Sequence, residues 1–77
     1  MKYEWVHGGS SNGEPGYALS FDYNPDVIER IKRTVPSSLR EWNPETKRWW
    51  ISELCERQIN DIFHGFLEAV VAQRRLF

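Results

Sequence analysis

Cysteine is almost absent from this 77-residue chain. Cys55 stands alone, so no disulfide can close within it. That fits a reducing compartment, and a cytoplasmic location is expected. No apolar run approaches the roughly 18 residues that a membrane span needs. The start, Met1-Lys2-Tyr3-Glu4-Trp5, has neither the basic nor the apolar region of a signal peptide. Histidine is scarce too. His7 and His64, with Cys55, are too few and too scattered for a zinc site, so no metal and no cofactor are expected. Neither sign of charge dominates, since the net charge is −1. A strongly basic, nucleic-acid-coating composition is thereby excluded. Repeats and a second domain are missing as well.

What the chain does have is aromatic mass: 4 Trp, 3 Tyr and 4 Phe. A domain this small buries only about 60% of the surface its unfolded chain exposes. Each buried aromatic removes roughly 150–250 Å² from water, which can sustain a fold without disulfide or metal. Residues 2–7 alternate charged and apolar side chains and read as a strand with Tyr3 and Trp5 on one face. Residues 8–16 hold four of the five glycines and read as a long flexible loop. They fit neither a P-loop nor a dinucleotide fingerprint, since no Gly-Lys-Ser/Thr and no helix follow. Residues 17–23 alternate again, with Tyr17, Leu19, Phe21 and Tyr23 together, and form the antiparallel partner of the first strand.

Asn24-Pro25-Asp26 is a helix start: a preferred cap, a proline at the first position and an acid near the positive dipole end. That helix runs to about Thr34 and stops before Pro36, with Val27, Ile28, Ile31 and Val35 inward. Leu39 to Ile51 reads as a hairpin turning at Asn43-Pro44-Glu45-Thr46. Alternation in its second arm puts Trp49 and Ile51 on the core face and Arg48 and Trp50 on the other. Trp42 fits either face. Ser52 caps a last helix whose apolar stripe is Ile59, Ile62, Phe63, Phe66, Leu67, Val70 and Val71, with Gly65 inside it at a cost of about 1 kcal/mol. The expected fold is a single small α+β domain over residues 1–77. Its order is ββαββα: an antiparallel sheet of about four strands, two helices on one face, the other face open.

The run Phe21-x-Tyr23-Asn24-Pro25-x-x-Ile28-x-x-Ile31-Lys32, followed by Arg40-x-Trp42-Asn43-Pro44-x-x-Lys47-x-Trp49, resembles the HARP module of Swi/Snf-type annealing helicases. It is also similar to small phage proteins encoded beside repair helicases. The resemblance covers residues 21 to 51, about half of the chain. It implies a role in DNA processing, with Arg40, Trp42, Lys47 and Trp49 at the motif positions. No motor lies within these 77 residues, so the expectation is action in trans as a subunit, recruiter or inhibitor.

The residues themselves point the same way. Arg40, Trp42, Lys47, Arg48, Trp49 and Trp50 set cations beside indoles, the means by which single-stranded nucleic acid is held. On alternation Trp49 is core, and Trp50 beside Arg48 is the exposed indole expected to meet a ligand. A cross-strand aromatic pair or a dimer contact is the competing role for Trp50. Arg30, Lys32 and Arg33 form a basic helix face that either contacts phosphate or is merely solvated. A solvated face is the commoner meaning of such charges, though the middle of the chain is mildly basic: residues 24–50 carry six Lys or Arg against four Asp or Glu. Catalytic constellations are missing. Cys55 has no His–Asp arrangement around it, and Glu53 and Glu56 read as helix-start charges. The chain is therefore expected not to be an enzyme and to have no small-molecule substrate. The expected function is a nucleic-acid accessory that weakly binds single-stranded or forked DNA, or docks on a repair helicase. The alternative is a protein-interaction or regulatory module, phage-encoded in one version, using an exposed Trp-bearing sheet face. Either a monomer or a weak dimer fits.

Overall fold

A computed structural model describes residues 2–75. The two alternating stretches near the N-terminus pair antiparallel as β1 (Tyr3–Gly9) and β2 (Pro15–Phe21), with Trp5 opposite Leu19 and His7 opposite Tyr17. The hairpin supplies β3 (Arg40–Asn43) and β4 (Arg48–Ser52). Strand β4 pairs with β2, so the sheet order is β1-β2-β4-β3 and both outer strands are edges. Helix α1 (Pro25–Thr34) starts as its cap chemistry requires. The Asn24 side chain accepts hydrogen bonds from the Asp26 and Val27 amides, and Pro25 takes the first turn. This is the expected α+β domain with its four-stranded antiparallel sheet.

Period-two alternation sorts the side chains. Tyr17, Leu19, Trp49 and Ile51 point to one face, where they bury against Val27 and Ile31 of α1 and against the C-terminal helices. The other face carries Gly16, Ala18, Arg48 and Trp50.

Two differences from the sequence reading shape the molecule. The segment read as one final helix is divided. Ser52 caps a single 3-10 turn (Glu53–Cys55) that leads into α2 (Glu56–Ile62), and α3 (Phe66–Arg75) follows a break. Gly65 lies in the break at φ 89°, a left-handed conformation that glycine adopts at little cost. The Asn60 side chain spans it by accepting from the Leu67 amide at 3.1 Å. Aromatic packing on either side accounts for the interruption. Phe63 meets Tyr3 and Phe21 at ring distances of 4.8 and 5.2 Å, while Phe66 meets Trp5 and Tyr17 at 5.4 and 5.0 Å. Such pairs add about 0.5–1.5 kcal/mol each beyond burial. Past the break, Phe66 and Val70 remain buried but Val71 turns to solvent, leaving the expected stripe.

The second difference lies in residues 8–16. Gly8, Gly9, Pro15 and Gly16 belong to the paired strands, and only residues 10–14 form the connection. The Ser10 hydroxyl accepts from the Asn12 and Glu14 amides, and Gly13 supplies a left-handed turn at φ 81°.

Candidate nucleic-acid interface

The residues expected to bind do not share one surface. Trp50 is the clearest correction. It lies on the face away from the helices, as alternation required, yet it is only 6% exposed. Its indole lies over Gly16, where an added Cβ would come within 2.6 Å of Nε1, and Nε1 donates to the Gly8 carbonyl at 3.0 Å. The 10–14 connection then crosses that face. Ser11 reaches β3, its amide and hydroxyl both donating to the Glu41 carboxylate at 3.0 and 2.7 Å. Glu41 stands opposite Trp50 across the ladder, so this latch forms beside the indole. Both hydrogen bonds favour the charged form and hold the Glu41 carboxyl below its ordinary range. The glycine-rich stretch thus packs around Trp50, and glycine at 16 is required because an added Cβ would meet the Ile51 carbonyl oxygen as well as the indole.

The arginines divide as well. Arg40 caps the C-terminal end of α1. Its guanidinium donates to the Lys32 carbonyl at 3.2 Å and to the Val35 carbonyl, satisfying acceptors that a helix end leaves free. Arg30 donates to the Asp61 carbonyl at the end of α2 at 3.2 Å. Arg33 pairs with Glu29 one turn back at 2.6 Å, both side chains exposed. Arg48 lies beside Trp50 and lines the groove next to the latch. These four do not converge.

Trp42 and two lysines meet around two adjoining clefts that share Tyr23, Ile28, Trp42 and Trp49: one of about 290 Å³ that adds Phe21 and Lys47, and one of about 480 Å³ that adds Lys32. Trp42 stands opposite Trp49, with ring centroids 5.4 Å apart, so it shares the helix-side face. Strand β3 is an edge, however, and Trp42 stays 48% exposed while Trp49 is 9% exposed. Tyr23 also lines both clefts and is 82% exposed. Phe21, Ile28 and Trp49 complete the lining of the first. Lys47 is the charged member of the first and Lys32 of the second, and no carboxylate lines either among the described residues.

Local chemistry builds this cleft. The Asn43 side chain accepts from the Glu45 and Thr46 amides, an Asx turn that closes the hairpin. The next residue, Lys47, has φ 55°, left-handed and unusual for a side chain other than glycine or asparagine. Tyr23 precedes the cap of α1 and Ile28 is its fourth helical residue, the two positions of a hydrophobic staple. Sequence reading missed Tyr23 by continuing the strand alternation through it. The staple rule applied to Tyr23-Asn24-Pro25 would have found it.

Cys55 is buried, and burial, then the Glu14 carboxylate, push its thiol up and away from the reactive thiolate. Among the described residues no three His, Cys, Asp or Glu side chains lie close enough to hold a metal ion. No helix among them is long and apolar enough to cross a membrane. Comparisons with family models, curated proteins and solved structures give no match to this chain.

Proposed function

We propose that this domain is a nucleic-acid-handling accessory that binds single-stranded or forked DNA weakly, or docks on a repair helicase that does. The observation that carries this reading is the pair of adjoining clefts that sets the exposed Tyr23 and Trp42 beside Lys32 and Lys47. Bases stack on aromatic faces and phosphates follow cations. Every lining residue comes from the stretch 21–51 that resembles the HARP module, which supports the same reading. Near-neutral total charge makes the affinity modest, so the local field at the cleft must carry it.

A separate observation favours the second reading, a protein-interaction module. The outer side of α3 presents Leu67, Val71 and Ala72 together, the kind of apolar surface that partners cover. Salt separates the two. In tryptophan-fluorescence titrations with single-stranded, forked and duplex oligonucleotides, the first reading predicts salt-reversible binding of the unpaired substrates. Two phosphate contacts give a slope of log K against log salt of about −1.4. Absence of binding to every oligonucleotide at low salt would contradict it.

A further inference from the structure

The smaller cleft is selective in its chemistry. Apart from Lys47, its lining is rings and an aliphatic side chain: Trp49, Phe21 and Ile28, buried or partly so, and the exposed Tyr23 and Trp42. Cations from two different elements flank it: Lys47, in the hairpin turn, lines it, and Lys32, on α1, lines the adjoining cleft that shares Tyr23, Ile28, Trp42 and Trp49. A cationic guest such as a methylated lysine would enjoy the rings but meet both ammonium groups, with no carboxylate in the lining to neutralise it. Duplex DNA keeps its base faces stacked on one another and offers none to Tyr23 or Trp42. An acidic peptide would satisfy the lysines and leave the rings without a planar partner. A flat, uncharged base with a phosphate on each side satisfies both sets.

Lys47 adds a second observation. Its left-handed backbone is a conformation that disfavours a side chain by roughly 1–2 kcal/mol, and glycine would occupy it freely. Lysine stands there instead, and it lines the cleft. Residues held in such conformations cluster at ligand sites.

We propose that the cleft is a slot for one unpaired nucleobase. The base inserts between Tyr23 and Trp42 over Trp49, and its flanking phosphates lie against Lys32 and Lys47. This deepens the nucleic-acid reading and rests on it. The domain then recognises unpaired strand, whether free or leaving a duplex, because only an unpaired base can be turned into the slot.

The test uses the full chain, a labelled oligothymidylate of about 8 nucleotides, and the same backbone with abasic positions. Loss of the bases weakens binding about 5- to 160-fold. Tyr23→Ala produces a loss of that size for the oligothymidylate and none for the abasic strand. Lys47→Gly weakens both strands equally and reduces the salt slope by about 0.7, while thermal stability is kept or raised. Equal binding of abasic and base-bearing strands would overturn the slot and leave the nucleic-acid reading standing. So would Tyr23→Ala binding oligothymidylate as wild type does while Lys47→Gly binds it more weakly. No binding of oligothymidylate at low salt would overturn the reading beneath it.

Discussion

Trp50 and Trp42 are both indoles on the same hairpin, and their fates differ because of what stands opposite each. Trp50 stands between Ala18 and Glu41, its indole reaches over Gly16, and the Ser11–Glu41 latch forms beside it. Trp42 faces another tryptophan on an edge strand, and nothing covers its outer side among the described residues. The latch is an electrostatic device with a defined pH sense. Its Ser11 hydrogen bonds depress the Glu41 carboxyl in the folded state, so the latch contributes stability above the ordinary carboxyl value near 4.5. That contribution is lost as pH falls through the depressed value. Glu41→Ala should therefore raise the exchange rate of the Trp50 indole N–H at neutral pH. The gap between variant and wild type should close on acidification, as NMR exchange measured at matched pH would show.

At the scale of elements, the last helical segment gives the sharpest sign test. Were it one continuous helix, Gly65→Ala would stabilise the protein by about 1 kcal/mol. With Gly65 at φ 89° the same change should destabilise it by roughly 1–2 kcal/mol, readable as a lower midpoint in urea unfolding. Most elements were legible from local rules: the Asn24 and Ser52 caps, the stop at Pro36 and the Asn43 turn each rest on chemistry within four residues. The break at 63–65 was not, because the 3.6-residue apolar period runs through it unchanged. It follows from ring contacts between Phe63 or Phe66 and strands more than 40 residues away in sequence. Burial of Trp50 was illegible for the same reason, since alternation assigns a side chain to a face and says nothing of what crosses that face.

At the scale of the whole molecule, the sheet has one face committed to the core and the other partly sealed by the 10–14 connection. Along one flank the edge strand β3, the end of β2 and α1 leave the rings of Trp42 and Tyr23 exposed. Of the eight residues read from sequence as binding, Trp42, Lys32 and Lys47 line that flank. Arg40, Arg30 and Arg33 have intramolecular partners, and Arg48 stays with Trp50 on the other side. The motif positions were legible as residue types; their grouping needed the fold. The indole N–H signals of the four tryptophans, followed by NMR through a titration with a short single-stranded oligonucleotide, test this assignment most directly. The account predicts that the Trp42 signal moves at low salt and returns as salt is raised, while Trp50 stays in place beside its latch. Movement of Trp50 with Trp42 stationary would put the interface on the opposite face and contradict it.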